Sequence, residues 1–312
     1  MNQGLTFFFD WEVELMVWMQ SNIAGSKAML ALFSLCTYLG DALLTVFLIG
    51  VLYLGYDKKI GERIGLASIF SSTCNGMFKN LFFRRRPYFD NEEIKCLSAV
   101  DKSADIYSLK DQGFSFPSGH SMNVAATFGS IYRYFRDRKV LVACLMAIIL
   151  TGISRFAFGV HYPTDVFFGW LIGFMIMMIV GIMYERLDGR YVYLAIGLAS
   201  SSGLLFCHTE DYFQSYGILM GFIGALLFEK RYVNFKNTHN ILKMILRLLL
   251  SGAVFLLIKW LLKLPFGIEF LEDESMLSLL YTSFRYGISA FVSMGIVPMI
   301  YRFNILKMDD NL

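Results

Sequence analysis

Residues 113–165 read GFSFPSGHSMNVAATFGSIYRYFRDRKVLVACLMAIILTGISRFAFGVHYPTD, and we take the rest of the chain to be organised around them. Apolar runs of helix length alternate in this stretch with short polar turns. The polar residues that stand out in these turns are Pro117, Ser118, Gly119, His120, Ser154, Arg155, His161 and Asp165. Two of the four histidines of the chain therefore lie beside an arginine and beside expected helix starts, a combination suited to handling a phosphoryl group.

The composition of the whole chain is that of a membrane protein. Of its 312 residues, 56% are apolar and only 17% are charged, and the mean hydropathy is positive. Soluble globular domains are less apolar than this. Because a spanning helix needs about 20 mainly apolar residues, a chain of this length holds about eight to ten spans and leaves no room for a separate soluble domain.

The apolar segments predict about nine transmembrane helices. They are expected at residues 40–56, 62–83, 118–135, 140–158, 162–184, 191–208, 212–228, 244–262 and 282–302. Pro87 should end the second of them, because the residue before a proline disfavours the helical conformation. The fold class that we predict is therefore all-α, a polytopic membrane helix bundle.

Within this one continuous domain we distinguish three regions. They are an N-terminal interfacial helical region at 1–39, a catalytic transmembrane core at 40–190 and additional C-terminal transmembrane helices at 191–312. In the first region Trp11, Leu15, Trp18 and Met19 share one helix face, which predicts an interfacial helix with aromatic anchors. A helix packed on its own protein is the equal alternative. Acidic residues precede the first cation, so we expect this region not to be a cleaved signal peptide.

Lysines and arginines collect in every second loop of the nine-span arrangement. The basic loops contain Lys58, Lys59, Arg63, Arg133, Arg136, Arg138, Lys139, Arg186, Arg190, Lys230, Arg231 and Lys236, and the tail adds Arg302 and Lys307. The intervening loops are poor in cations, as at 208–211, or acidic, as at 269–274. Because basic loops face the cytoplasm, we predict that the N-terminus and all the motif residues lie on the non-cytoplasmic side.

The stretch at residues 88–116 is long for a connection between neighbouring helices. It holds six acidic residues against three lysines. A loop of this length is often functional, so a lid or substrate gate is one interpretation, and a mobile spacer is the other. The acidic segment at 263–278 is expected to be a surface loop.

Lys79 and Arg86 are the first candidate phosphate ligands. They are seven residues apart, nearly two helical turns, so both side chains would point to one spot if the helix continued through Arg86. Charges in a membrane helix are usually functional, although a cation at a helix end also reaches lipid headgroups. Arg84 and Arg85 could meet a second phosphate, headgroups or neither.

The second candidate group is the turn that opens the helix at Ser118. Free backbone N–H groups at a helix start favour a phosphate oxygen, and Gly119 permits its close approach. Ser118 is then a donor or an N-cap rather than a nucleophile. An imidazole in the first turn, His120, is placed to protonate a leaving oxygen. An ordinary capped helix would show the same Ser-Gly pattern.

The third candidate group surrounds His161. Arg155 can bind phosphate through two nitrogens at once. Pro163 is expected to start a helix, so Asp165 lies in its first turn and can reach back to the ring of His161. A carboxylate on Nδ1–H leaves Nε2 as the free, more basic nitrogen. The alternative is that Asp165 only caps the helix and His161 is an interfacial residue.

Taken together, the three groups match Lys-x6-Arg-Pro, Pro-Ser-Gly-His and Ser-Arg-x5-His-x3-Asp, in this order. That combination resembles the type 2 phosphatidic acid phosphatase superfamily, whose membrane members remove phosphate from lipids and whose soluble members include vanadium haloperoxidases. All eleven motif positions match, from Lys79 to Asp165. The resemblance implies the helical catalytic core of that superfamily.

The resemblance also implies a role for each motif residue. His161 would attack phosphorus to give a phosphohistidine, Asp165 would orient it, and His120 would protonate the leaving group and later activate water. The groups that hold the phosphate and its transition-state charge would be Lys79, Arg86, Ser118, Gly119 and Arg155. The family is metal-independent, and the sequence has no clustered carboxylates, so we expect neither a metal nor another cofactor.

The expected function is that of an integral membrane phosphatase for a lipid-linked phosphate monoester or diphosphate, such as a polyprenyl diphosphate or a phosphatidate-like lipid. Many bacterial lipid phosphatases of that superfamily look like six-span proteins with two spans before the helix that corresponds to Lys79. One span before Lys79 and nine spans in total are more similar to the arrangement of glucose-6-phosphatase, so hydrolysis of a soluble sugar phosphate is an alternative. Transfer of phosphate to another lipid is a further one. An anion channel or transporter would use the three cations but would leave the paired histidines unexplained.

The expected partners are the lipid phosphate substrate and membrane lipids. Nucleic acid is not expected, because no basic tract is interleaved with aromatic residues.

Overall fold

Helices account for 76% of the chain in the computed structural model. The structure describes residues 4–267, 270–271, 273 and 275–302. The chain folds into two units, one made of Met1–Thr45 and Met77–Met178 and the other of Val46–Gly76 and Ile179–Leu312. All the candidate site residues belong to the first unit. The three regions distinguished in the sequence stay a prediction.

The helices follow one another with short connections. In chain order they are α1 (Asp10–Asn22), α2 (Lys27–Tyr38), α3 (Ala42–Gly50, continued by a π turn over Val51–Tyr56), α4 (Lys58–Phe82), α5 (Pro87–Asp90), α6 (Leu109–Gln112) and α7 (Gly119–Phe135). They continue with α8 (Arg138–Ala157), α9 (Pro163–Arg186), α10 (Gly189–Ser201), α11 (Glu210–Phe228), α12 (Ile241–Leu261), α13 (Met276–Phe291) and α14 (Met299–Arg302). Each apolar segment singled out in the sequence is largely helical, although that at 191–208 extends beyond α10 and that at 282–302 covers the end of α13, a π turn over Val292–Ile296 and α14.

Helices long and apolar enough to cross a membrane are found in both halves of the sequence. Among the described residues four qualify, namely Arg138–Ala157, Pro163–Arg186, Ile241–Leu261 and Met276–Tyr301. A fifth is possible if Lys27–Tyr38 and Ala42–Tyr56, bent by 46° at their junction, form one broken span. Helix α7 has 17 residues, fewer than the about 20 of an ordinary span. The chain is thus an integral membrane protein, and the count of about nine spans stays a prediction.

Helix α2 was not among the predicted spans, which began at residue 40. Its C-terminal end packs on α7 and α8 through buried polar contacts. The Thr151 hydroxyl donates to the carbonyl of Cys36 at 2.9 Å, and the Asn123 amide donates to the carbonyl of Gly40 at 3.2 Å. A Cβ on Gly40 would lie 2.8 Å from Cγ2 of Thr151 and 3.0 Å from Cβ of His120. Only glycine lets the turn after α2 approach the site this closely.

Helix α1 combines the two interpretations made from its sequence. Glu12, Met16 and Met19 are buried, and the two methionines belong to a hydrophobic core shared with the loops around the site. Trp11 and Trp18 are 50% and 55% exposed. The helix therefore packs on its own protein through one face and presents tryptophans on another, while Met19, expected on the tryptophan face, lies inside.

Residues 88–116 form the short helices α5 and α6 and irregular chain that packs against the first unit. Ile94 is buried, and the backbone N–H of Leu97 donates to the carbonyl of Phe158 at 2.9 Å. The Gln20 side chain accepts from the N–H of Lys95 at 3.0 Å and donates to its carbonyl at 2.8 Å. A role as lid or gate stays a prediction.

In the second unit the basic loops meet buried carboxylates. Lys58 contacts Glu229 at 2.9 Å, and Lys230 contacts Glu62 at 2.9 Å. These ion pairs neutralise two acids that would otherwise be costly to bury.

In the acidic segment expected at 263–278, Lys263 is exposed. Its acids Glu269, Glu272 and Glu274, and the tail residue Lys307, lie outside the described residues.

Candidate active site

His161 lies buried in the turn between α8 and α9, with each ring nitrogen facing a charged group. Its Nδ1 is 3.5 Å from Oδ2 of Asp165, and its Nε2 is 3.5 Å from Nη1 of Arg86. The first distance is longer than a good hydrogen bond and suits an electrostatic contact. The carboxylate favours the proton on Nδ1, so the lone pair of the neutral ring lies on Nε2, beside the guanidinium.

Local sequence explains how the turn at His161 is made. Gly159 has φ +77°, and a Cβ there would lie 2.3 Å from the carbonyl oxygen of Lys95. Such a conformation and such an approach require glycine. Pro163 is the first residue of α9, where its missing N–H costs nothing. Asp165 then sits in the first turn, and its Oδ2 accepts from the N–H of Tyr162 at 2.8 Å.

Arg86 is buried, and backbone carbonyls hold its guanidinium in place. Nε donates to the carbonyls of Gln112 and Gly113 at 2.8 and 3.1 Å, and Nη1 donates to that of Val160 at 2.9 Å. These contacts tie the 88–116 segment and the turn of His161 to one side chain. Arginine keeps its charge in proteins, so the guanidinium of Arg86 places a positive charge beside Nε2 of His161.

The condition set for Lys79 and Arg86, a helix that continues through Arg86, is not met. Helix α4 ends at Phe82, and Phe83 has φ +49°, so the helix does not continue to Arg86. Arg86 is extended (φ −75°, ψ 152°) as the N-cap of α5, since the following proline excludes the helical conformation. Lys79, in the last turn of α4, nevertheless acts electrostatically on both His120 and His161.

Ser118 is the N-cap of α7. Its hydroxyl accepts from the N–H and the hydroxyl of Ser121 at 3.4 and 2.9 Å, and its own N–H donates to the carbonyl of Asp165 at 3.0 Å. This last bond joins the start of α7 to the start of α9. Gly119 and His120 follow in the first turn and are half-buried. The imidazole of His120 interacts electrostatically with Arg155 and with His161.

Arg155 lies in the last turn of α8 and is buried. Its Nη1 donates to the hydroxyl of Thr37 at 2.6 Å, so helix α2 contributes to the site. Asp41, in the turn after α2, interacts with its charge, and so does Arg86. No group in the described part of the chain accepts a hydrogen bond from its Nε.

The pKa of His161 is held well below its usual range. Burial is the main cause, because it disfavours the charged ring, and the positive charges of Arg86, Arg155 and Lys79 add to it. The ring is therefore neutral at neutral pH, as a nitrogen nucleophile must be. Asp165 and Arg86 thus contact the ring of His161, the charges of Arg155 and Lys79 act on it, and Ser118 is joined to Asp165 through its backbone N–H. The roles assigned to the eight candidate residues stay a prediction.

Three residues of this region have contacts that sequence reasoning did not predict. Arg84 donates to Oδ1 of Asp165 at 2.6 Å, Glu12 pairs with Arg84 at 2.8 Å, and Thr37 contacts Arg155. Arg84 carried a weak signal through its place beside Arg86. Neither a single glutamate in an aromatic-rich helix nor a single threonine carries a recognisable pattern.

Among the residues that the structure describes, no three His, Cys, Asp or Glu side chains are grouped as metal ligands.

Two family profiles match the sequence. The profile of the PAP2 superfamily covers residues 63–188, and that of the PAP2 superfamily phosphatase transmembrane extension covers residues 213–308. The chain belongs to the PAP2 superfamily. The prediction made from the three motifs, of a type 2 phosphatidic acid phosphatase superfamily member, is confirmed. The second profile assigns most of the C-terminal helices of this PAP2 protein to the same superfamily.

Relatives of this PAP2 protein are lipid phosphatases by name. It is 40% identical over 133 residues to lipid A 1-phosphatase of Rhizobium etli, covering 42% of the chain and 53% of the relative. It is 35% identical over 82 residues to phosphatidylglycerophosphatase B of Bacillus subtilis (23% and 40%). To undecaprenyl-diphosphatase BcrC of the same organism it is 29% identical over 122 residues (39% and 54%). The chain thus spans about half the length of the curated relatives it matches. No solved structure matches it.

Proposed function

We propose that this PAP2 protein is a membrane phosphatase that hydrolyses a lipid-linked phosphate monoester or diphosphate through a phosphohistidine on His161. One observation carries this function. A buried, neutral imidazole has its Nδ1 toward Asp165 and its Nε2 beside the guanidinium of Arg86, at 3.5 Å on each side. A nucleophile lies in this way next to a phosphate-binding cation, as phosphoryl transfer requires.

In the first step Nε2 of His161 forms a bond to phosphorus, and the bond from phosphorus to the leaving oxygen breaks. His120 gives its proton to that oxygen, which is the lipid hydroxyl of a monoester or the lipid phosphate of a diphosphate. In the second step His120 takes a proton from water, the water oxygen bonds to phosphorus, and the N–P bond breaks to release inorganic phosphate. The reaction as a whole consumes one water.

The phosphate would be held by Lys79, Arg86 and Arg155, with the backbone at Gly119. Arg155 supports this role most directly, because its buried Nε has no acceptor in the described residues. A buried donor without a partner is costly, and a phosphate oxygen would satisfy it. The three cations supply charge stabilisation without a metal, so we propose a metal-independent reaction.

A lipid substrate is supported by exposed aromatic rings next to the site. The rings of Phe82 and Phe168 lie 4.8 and 5.6 Å from the ring of Phe116, which directly precedes Pro117. Phe82 and Phe168 are about two-fifths exposed (42% and 40%). This apolar surface suits the tail of a lipid whose phosphate reaches the turn at Ser118. The names of the relatives point to the same class of substrate.

We propose that the site works on the non-cytoplasmic side of a multi-pass, nine-span protein. Three helices carry the site at one end and cations at the other. Helix α7 begins at Gly119 and has Arg133 in its last turn, α8 begins at Arg138 and has the site residue Arg155 in its last turn, and α9 has Asp165 in its first turn and Arg186 in its last. Since basic helix ends favour the cytoplasm, the opposite ends face away from it.

The experiment uses the full chain in detergent or vesicles with 32P-labelled substrates. Wild type, His161→Ala and a control, His239→Ala, are mixed with prenyl diphosphate, phosphatidate, phosphatidylglycerol phosphate, lipid A or glucose 6-phosphate, and are quenched in alkali, in which phosphohistidine survives. His239 is an exposed histidine of the second unit.

We expect labelled protein and phosphate release with at least one lipid for wild type and His239→Ala. His161→Ala should be unlabelled and slower by a factor of at least about 10³, the loss typical of a missing nucleophile. Equal rates for His161→Ala and wild type would exclude His161 as nucleophile. Release from glucose 6-phosphate alone would replace the lipid substrate with a soluble sugar phosphate.

A further inference from the structure

Glu12, in the first turn of α1, is fully buried and reaches the residues around Asp165. Its Oε1 accepts from the N–H and the hydroxyl of Thr164 at 3.0 and 2.6 Å. Its Oε2 accepts from Nη2 of Arg84 at 2.8 Å and from the N–H of Phe9 at 3.0 Å. A buried carboxylate with four donors is a built feature, because burying one without partners is very costly.

Arg84 links Glu12 to Asp165. Its Nη1 donates to Oδ1 of Asp165 at 2.6 Å and to the hydroxyl of Thr164 at 2.8 Å. Its guanidinium lies 4.0 Å from the ring centre of Tyr162, and its Nε donates to the carbonyl of Phe7. It also lies 4.6 Å from the ring centre of Phe7, so aromatic rings and hydrogen bonds together hold the guanidinium in place.

Because Arg84 binds two carboxylates, it contacts only one oxygen of Asp165, and the other oxygen faces His161. Nη2 is occupied by Glu12, so only Nη1 is directed at Asp165, through Oδ1. The second oxygen, Oδ2, stays on the side of Nδ1 of His161 and of the N–H of Tyr162. Arginine prefers to bind one carboxylate with two nitrogens. Without Glu12, Arg84 would be expected to take both oxygens of Asp165 and to turn Oδ2 away from the histidine.

We propose that Glu12 is a positioning residue for the reaction, which holds Arg84 so that Asp165 presents one oxygen to His161. This role rests on the proposed function. Glu12 touches neither substrate nor the reacting atoms, and it lies outside residues 63–188, which match the PAP2 profile. The segment before α2 thus takes part in the chemistry that the family motifs carry.

The test compares Glu12→Gln with Glu14→Gln, an exposed glutamate on the same helix. Glutamine keeps the size of the side chain and one acceptor oxygen but removes the charge that competes for Arg84. Phosphate release by both variants, by His161→Ala and by wild type is measured with the lipid that wild type hydrolyses best. Thermal unfolding in detergent is followed for each.

A positioning role predicts that Glu12→Gln lowers kcat about tenfold and leaves KM within twofold, because the phosphate ligands are untouched. Labelling of His161 should slow by the same factor, while Glu14→Gln should match wild type. A kcat for Glu12→Gln equal to that of Glu14→Gln would overturn the role, and so would a loss expressed only as a raised KM.

Thr164→Val provides a second route if Glu12→Gln does not yield folded protein. It removes the hydroxyl that joins Glu12 to Arg84 and leaves both charges in place. About a threefold lower kcat at unchanged KM is expected, and a kcat equal to that of wild type would again overturn the role. If His161→Ala is as active as wild type, the proposed function fails. If only His161→Ala is inactive, the inference about Glu12 fails alone.

Discussion

The pKa of His161 sets the acid limit of the pH range in which this site works. Burial and three neighbouring cations lower that pKa, so the nucleophile stays neutral below the ordinary histidine pKa of about 6.5. The free enzyme loses activity only when pH falls through the lowered value. We therefore expect the acid limb of kcat/KM to lie below the ordinary histidine pKa.

The measurement is kcat/KM against pH for wild type and Arg155→Gln. The ionisation of the substrate, titrated by 31P NMR, is divided out of both profiles. Removing one positive charge near the ring should raise the pKa of His161, so the acid limb of Arg155→Gln should move to higher pH although its kcat is lower. An acid limb of wild type at or above pH of about 6.5 would contradict the lowered pKa.

Phe168 offers a test of the lipid tail at the level of one side chain. Phe168→Ser removes an exposed ring from the apolar surface next to the site, and loss of about 1–1.5 kcal/mol of apolar contact should raise KM for a long-chain lipid phosphate about tenfold. KM for a short-chain, water-soluble analogue should not change. Phe47→Ser, an exposed phenylalanine of the second unit, is the control. Equal changes of KM for long-chain and short-chain substrates would show that Phe168 does not contact the lipid tail.

At the scale of elements, apolar runs predicted the helices well, because membrane helices are long and their ends are polar. The segment expected at 118–135 is α7, Gly119–Phe135, and that expected at 140–158 is α8, Arg138–Ala157. Helix α2 lies in the region 1–39 that was expected to be helical, but it was not counted as a span, since its 12 residues are too few to cross a membrane. The motifs located the candidate site, whereas Glu12 and Thr37 reach it through tertiary contacts that no local pattern records.

Gly40→Ala tests whether the turn after α2 supports the site. The new Cβ would lie 2.8 Å from Thr151 and 3.0 Å from His120, so the turn must shift or the two neighbours must move. Overpacking of this kind costs about 1–3 kcal/mol, and we expect a lower unfolding temperature and at least about a tenfold lower kcat/KM.

Gly252→Ala is the matched control for that substitution. A Cβ at Gly252, within α12, would meet nothing within 4 Å, and alanine favours a helix interior over glycine. Activity should stay that of wild type. If Gly40→Ala were as stable and as active as Gly252→Ala, the turn would not be as tightly packed on His120 as the distances indicate.

At the scale of the whole molecule, the alternation of basic and cation-poor loops makes a prediction about topology that can be tested at four exposed positions. Lys102 and Lys263 lie in connections assigned to the non-cytoplasmic side, and Arg138 and Lys236 in basic loops assigned to the cytoplasm. Each is changed to cysteine in a variant that lacks the five native thiols, all of which are free. In intact cells a membrane-impermeant maleimide should label Lys102→Cys and Lys263→Cys, whereas Arg138→Cys and Lys236→Cys should react only after permeabilisation. Phosphate release by the cysteine-free variant controls for its folding. Because Lys236 and Lys263 flank α12, labelling of both from one side would remove that helix from the spans, and labelling of Lys102 only after permeabilisation would place the site at the cytoplasmic face.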